Sequence, residues 1–334
     1  MKGENPSEKS VFAFFSFAIG EHALLSPLLL ISSRMTGHVS LLTLSGTQIK
    51  GYHLSQLIGS GAYGAVYRGT CGSDVIALKV SHREHDLAIE AKALQLLNSS
   101  DASPKIFFSH HDGIYHTLGL QLLGLDLETL REKGSSKPFD RHTLVKFMYQ
   151  AIACLEAVHE MRIVHRDIKL ANFAVTVPTN PGNRVALRIL DFGLSHLYED
   201  NNGTPLDDSR SVNFKRMKYC SYAVSIGCTP LPKDDIVQIS YAVLHASDFD
   251  FAGKLKCPAR ELLTWKEELL SKPAEALPHS LKFMFPFFEI VGELDDDSPI
   301  DYSLTKQRIQ ECLPGSDATG DLLLSEKNGE LLLV

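Results

Sequence analysis

Residues 164–173 read VHRDIKLANF. Five of these ten side chains, His165, Arg166, Asp167, Lys169 and Asn172, carry a charge or a directed hydrogen bond, and they stand beside apolar Ile163, Val164, Ile168 and Phe173. A core strand would not tolerate so many polar groups, because each buried one needs a partner. A solvated loop would not need the apolar frame. The combination predicts a loop held rigidly on a packed scaffold, which is where catalytic groups tend to sit.

Downstream, ILDFGL (189–194) places Asp191 at the end of an apolar strand where the chain turns. A carboxylate there suits a hard cation such as Mg²⁺, which takes oxygen donors and keeps phosphate oxygens in its shell; Asn172 could add another oxygen. Chance occurrence of the tripeptide is the alternative. Upstream, GSGAYGAV supplies Gly59, Gly61, Gly64 and Val66 in the pattern G-x-G-x-x-G-x-V. Glycines let backbone N–H groups approach a phosphate closely. A dinucleotide-binding turn would need a helix directly after the glycines, but here AVYRGT continues as strand, so the loop joins two antiparallel strands. An ordinary glycine hairpin would look the same. Lys79 lies 13 positions past Val66 in VIALKV, where an amine is costly unless paired. Glu90, on the helical segment 85–97, is the candidate partner; a surface Lys and a solvated Glu are the alternative.

Composition bounds the rest. The 334 residues suit one large domain or two lobes, and the net charge of −7 argues against a dedicated nucleic-acid binder. The six cysteines are dispersed with no C-x-x-C pair, which fits a reduced intracellular compartment rather than a disulfide or zinc framework. Residues 1–34 hold VFAFFSFAIG (11–20) and ALLSPLLLIS (23–32), interrupted by Glu21, His22 and Pro27. A membrane span needs about 20 continuous apolar residues, so this stretch reads as a poorly ordered extension outside the fold, with an anchor or signal peptide as the other reading. Met35 is an alternative start.

From Tyr52 the periodicity is orderly. DVIALKVS (74–81) reads as strand, 85–97 and 141–161 as amphipathic helices, and 234–246 as a buried helix. Strands with one helix first, then mainly helices, predict an α+β chain with a small β-rich lobe before a larger helical lobe. The tail 315–334 is polar with an apolar end, ELLLV, and has no assignment.

Glycine loop, Lys79, Glu90, HRDIKLAN and DFG in this order resemble the eukaryotic protein kinase family over residues 52–312. The resemblance implies a bilobal kinase fold, with an N-lobe of about 52–123 and a C-lobe of about 124–312. It implies ATP in the cleft, lined by the loop Ile58, Gly59, Ser60, Gly61, Ala62, Tyr63, Gly64, Ala65 and Val66, by Lys79 oriented by Glu90, and by Leu120 and Leu122 near the hinge. It also implies Asp167 as the catalytic aspartate, Lys169 on the transferred phosphoryl group, and Asn172 with Asp191 on Mg²⁺. Lys169, two residues after Asp167, matches the pattern of serine/threonine kinases.

LQLLGLDLETL (120–130), KYCS (218–221), PKDDIVQISYAVL (232–244) and DYSLTKQRI (301–309) resemble the casein kinase 1 group, and Cys220 its tau-tubulin-kinase-like members. Asp235 would brace the catalytic loop. The usual APE is missing, Lys215–Arg216 replace a Gly-Thr pair, DFDFAG (248–253) stands where relatives carry LPW, and Leu170 replaces a proline. The expected function is transfer of the γ-phosphate of ATP to Ser/Thr hydroxyls of protein substrates by a monomeric cytoplasmic and nuclear kinase. The alternative is a pseudokinase or scaffold that binds ATP and partners. Arg210, Lys215 and Arg216 form a local basic run that would favour acidic or already phosphorylated substrates.

Overall fold

Residues 48–121 build one antiparallel sheet of six strands, with one helix between the fourth and fifth. These are β1 (Gln48–Ile49), β2 (Tyr52–Gly61), β3 (Gly64–Cys71), β4 (Asp74–Ser81), β5 (Ile106–His111) and β6 (His116–Gln121), in the order β1-β2-β3-β4-β6-β5. A computed structural model describes residues 40–61, 64–82, 84–133, 138–178, 184–200, 202–207, 213–214, 217–296, 298–327 and 330–333, with the backbone alone for 84–86, 327, 330 and 331. The chain divides into two units, 1–44 and 45–334. Of the first, the described part holds a single 3₁₀ turn, Leu41–Thr43, capped by the Ser40 hydroxyl. Residues 1–34, Met35 and the readings placed on them lie outside the described residues.

Within the second unit, β4 is an interior strand whose residues Ile76–Ser81 are all buried. The helix α1 (Glu84–Leu96) packs on β5 and β6 and on the turn Phe192–Leu194. It buries Leu87, Ala91 and Leu94, and Leu97 is buried just past its end, the positions that the helical spacing selects.

Helices then dominate: α2 (Leu127–Lys133), α3 (Arg141–Glu160), α4 (Tyr222–Ile226), α5 (Pro232–Ala246), α6 (Phe251–Lys254), α7 (Ala259–Ser271), α8 (Pro273–Ala276), α9 (Phe285–Gly292) and α10 (Tyr302–Glu311). Asp140 caps α3 by accepting the Thr143 N–H at 2.8 Å. Pro232 opens α5 with its fixed φ, and the Asp234 carboxylate accepts the Leu231 N–H at 2.8 Å. Nearly every side chain of α5 is buried, so it is the central post of the helical lobe, with α3 packed beside it. Each fully buried Leu, Ile or Phe there contributes about 1.5–3 kcal/mol of transfer free energy.

Three small sheets, two of two strands and one of three, hold the loops over this core. β7 (Ile163–Val164) pairs with β11 (His196–Leu197), and β8 (Phe173–Val175) with β10 (Leu187–Ile189). The unassigned tail folds as a hairpin, β12 (Leu322–Lys327) with β13 (Glu330–Leu333), and β12 pairs with β9 (Arg184–Val185). Leu322, Leu324 and Leu333 are buried there, so this tail, which periodicity could not place, packs apolar side chains. The sheet also begins before Tyr52, because β1 pairs with β2 through Gln48–His53 and Ile49–Tyr52. The two-lobed α+β arrangement expected from the order of elements is the one found.

Candidate active site

The ladder of the sheet decides who faces whom. Gly59 lies opposite Val66, Val66 opposite Lys79, and Lys79 opposite Leu118. Directly opposed residues share a face, so the glycine loop and Lys79 point to the same side of the sheet. Two residues along, Ala77 lies opposite Leu120 on that same face; both are buried, and Leu122 is half-buried just beyond. Gly64 has a φ of +137°, and a Cβ there would come within 2.2 Å of the Val80 carbonyl oxygen, so no other residue fits. A Cβ on Gly61 would meet nothing within 4 Å. Packing against the described residues therefore does not demand that glycine. Ile58, Ser60, Ala65 and Val66 follow in the same two strands, Ile58 exposed and Ala65 buried. Ala62 and Tyr63 lie outside the described residues.

Lys79 Nζ donates to Glu90 Oε2 at 2.6 Å and to Asp191 Oδ1 at 3.0 Å. Glu90 comes from α1 and Asp191 from the turn after β10, so one amine ties the sheet, its helix and the helical lobe together. Burial opposes the Lys79 charge, but the two carboxylates outweigh it and hold the amine protonated, above the ordinary lysine range. Burial also opposes the Asp191 charge, and the Lys79 amine overcomes it, so that carboxyl stays below its ordinary range. For Glu90 burial wins and pushes the carboxyl up. Asp191 itself adopts a left-handed backbone, φ 59° and ψ 73°, which an aspartate tolerates better than most residues.

The loop His165–Asn172 is braced from below by α5. Asp235, fully buried, accepts the His165 N–H at 2.7 Å and the Arg166 N–H at 2.7 Å, and contacts His159 Nε2 at 3.0 Å. Gln238 accepts the Ile168 N–H at 2.6 Å. Arg166 has a φ of 73°, and its Nε donates to the Leu194 carbonyl at 2.7 Å while its guanidinium lies 4.7 Å from the Phe214 ring centre. His165 meets the buried Phe192 ring edge-on at 4.8 Å. The loop backbone is thus held by α5, and the His165 and Arg166 side chains by carbonyls of Leu190 and Leu194 in the segment after β10.

Held in that frame, Asp167 Oδ2 accepts Lys169 Nζ at 2.7 Å and Asn172 Nδ2 at 3.1 Å. Asn172 Nδ2 also donates to the Asp167 carbonyl at 2.7 Å, which turns the Asn172 amide oxygen away from that contact. The Asp191 carboxylate and the Asn172 amide oxygen are hard oxygen donors, the set that Mg²⁺ takes alongside phosphate oxygens. Of the residues expected at the site, Lys79, Glu90 and Asp191 are bonded to one another, Asp167, Lys169 and Asn172 are bonded to one another, and the strands of the glycine loop pair with the strand that carries Lys79. Arg210, Lys215 and Arg216 lie outside the described residues.

Sequence reading missed Gln238 and Ala77. Gln238 stands three residues after Asp235, so the two share a helix face, and a glutamine on an otherwise apolar buried helix was the available signal. Ala77 stands two residues before Lys79 on the same strand face, where a larger side chain would fill the cleft floor.

Residues 52–217 match the sequence pattern of the protein kinase domain family. The chain is also similar to the casein kinase I homologue RAG8 of Kluyveromyces lactis, 25% identical over 202 residues, an alignment covering 58% of this chain and 37% of that protein. The chain therefore spans well under two thirds of that relative's length. Taken with the Lys79, Glu90 and Asp191 bridge and the Asp235-braced loop, the match makes residues 52–217 a protein kinase domain, and the sheet lobe with its helical partner is the bilobal fold of that family.

Proposed function

We propose that this protein is an active serine/threonine protein kinase of the casein kinase 1 group, closest in kind to its tau-tubulin-kinase-like members. The observation that carries this reading is Lys79 bonded at once to Glu90 and Asp191, with Asp167, Lys169 and Asn172 assembled beside them. No group with a direct chemical role is replaced. In this reading Lys79 binds the α- and β-phosphates of ATP under the glycine loop, and the apolar floor of Ala77, Leu120, Leu122 and Val66 receives the adenine. The Asp167 oxygen not engaged by Lys169 and Asn172 accepts the hydrogen of the attacking hydroxyl, and Lys169 balances charge on the phosphoryl group in flight. Positioning and charge stabilisation carry such a reaction, with little covalent chemistry asked of the protein. Mg²⁺ held by Asp191 and Asn172 would neutralise charge on the β- and γ-phosphates. Lys169 favours Ser/Thr hydroxyls, and Arg210, Lys215 and Arg216 favour acidic or phosphorylated sequences around the target. The cytoplasmic and nuclear setting and the monomeric state belong to the same proposal.

The replacement of Gly-Thr by Lys215–Arg216 favours a second reading, a pseudokinase that binds ATP and partner proteins. One experiment separates them: radiolabelled ATP with an acidic Ser/Thr substrate, using Asp191→Ala and Asp167→Asn as controls. The kinase reading expects wild-type transfer, none with either variant, and ATP affinity kept within a few-fold by Asp167→Asn, since that group acts on the hydroxyl. ATP-dependent thermal stabilisation without any transfer would favour the pseudokinase. Peptide libraries assayed at low and high salt, with Lys215→Ala/Arg216→Ala, test the acidic preference, which screening should weaken.

A further inference from the structure

Lys266 is only 2% exposed, on the inner face of α7 beside Trp265, and among the described residues no carboxylate lies within ion-pair distance of it. A buried ammonium without a counter-charge is costly, and burial indeed lowers its proton affinity. Its contacts are neutral: Nζ donates to the Cys220 carbonyl at 2.5 Å and to Ser225 Oγ at 3.2 Å, and stands 5.5 Å from the Tyr241 ring centre. All of these belong to the segment that follows the catalytic loop and to the central helix beneath it.

The neighbours of Cys220 are tied down as well. The Tyr219 hydroxyl bonds His245 Nδ1 at 2.6 Å, and the Ser221 hydroxyl donates to Asp234 Oδ1 at 2.5 Å while accepting the Val224 N–H at 3.1 Å. Three consecutive residues are therefore clamped, the outer two to α5 by their side chains and the middle one to α7 by its carbonyl.

We propose that Lys266 is a positioning residue for the peptide substrate: by holding the Cys220 carbonyl it sets Tyr219–Ser221, the stretch directly after the basic run Arg210–Arg216 that the kinase reading above assigns to the substrate, and on that reading the proposal rests. The physical reason for preferring positioning to stability is the cost of the charge. A buried ammonium without a counter-ion carries a desolvation cost, and removing the charge relieves that cost. A methionine would fill the same space and keep the fold, but it cannot donate to the carbonyl.

The test compares wild type, Lys266→Met and Lys266→Arg in steady-state transfer to an acidic Ser/Thr peptide, together with thermal melting and backbone hydrogen exchange. Lys266→Met should keep or raise the melting temperature and the ATP affinity, and raise the peptide KM about tenfold, the effect of one lost hydrogen bond to a charged donor. Lys266→Arg, which can still donate to the carbonyl, should recover part of that loss. The amides of Cys220, Val224 and Ser225 should exchange about tenfold faster in the methionine variant than in wild type. A fall in melting temperature and ATP affinity that parallels the KM change would overturn the proposal, because Lys266 would then be merely structural. So would unchanged exchange at those amides. If wild type transfers no phosphate, the kinase reading fails, and the exchange and melting measurements still decide whether Lys266 sets the segment.

Discussion

Changing Asp235 to asparagine removes one oxygen from a carboxylate that has three donors around it. Oδ1 accepts the Arg166 N–H at 2.7 Å, and Oδ2 accepts the His165 N–H at 2.7 Å and faces His159 Nε2 at 3.0 Å. An asparagine keeps one acceptor and presents an NH₂ group to a backbone N–H that it cannot satisfy. The loss combines a charge-assisted hydrogen bond of about 1.5–3 kcal/mol with a stranded buried donor of about 1–3 kcal/mol. Roughly 3–5 kcal/mol is a large share of the 5–15 kcal/mol that holds a typical domain folded. The only tryptophan, Trp265, is buried in the helical lobe, so its fluorescence in urea reports that lobe directly. With a slope of about 2–3 kcal/mol per molar urea, the midpoint should fall by roughly 1–2 M. Transfer should fall much further than ATP affinity, because Arg166 at φ 73° and the adjoining Asp167 lose their support before the glycine loop does. A midpoint within about 0.3 M of wild type, which is under 1 kcal/mol, would refute the claim that this carboxylate braces the catalytic loop.

Lys79→Met should abolish transfer and cost about 3–5 kcal/mol by leaving Glu90, 3% exposed, as an unpaired buried charge; a second change, Glu90→Gln, should recover most of that stability in the same urea titration but none of the activity. Truncation after Gly320 removes the hairpin and its buried Leu322, Leu324 and Leu333, and should destabilise the helical lobe by roughly 4–8 kcal/mol; calorimetry finding an unchanged melting temperature would show that the hairpin is dispensable. His245 is pushed down to about 4, by burial first and then by the Arg131 guanidinium. Its folded value lies below the unfolded one near 6.5, so the unfolded chain binds the extra proton; stability should fall as pH drops from about 6.5 towards 4, by on the order of 2 kcal/mol. Melting of wild type against His245→Gln across that range checks it, and equal slopes would assign the acid sensitivity elsewhere.

Much of the site is legible in the linear chain because its chemistry is local. Gly59, Gly61 and Gly64, the HRDIKLAN stretch and Asp191 each sit in a short segment whose residue types have few other uses together, and their order along the chain names the family resemblance. The helix carrying Glu90 and the buried helix carrying Asp235 announce themselves by period, since one face of each must be apolar to pack. What no period can express is a contact between segments far apart in sequence. That Lys79 bonds Glu90 and Asp191 together, that Gln238 supports Ile168, and that Lys266 reaches Cys220 are outcomes of how sheet and helices pack. The terminal hairpin is the plainest case. Its alternation is too short to be read alone, because a two-stranded ribbon is marginal in water and becomes stable only when its leucines find β9 and the helical core.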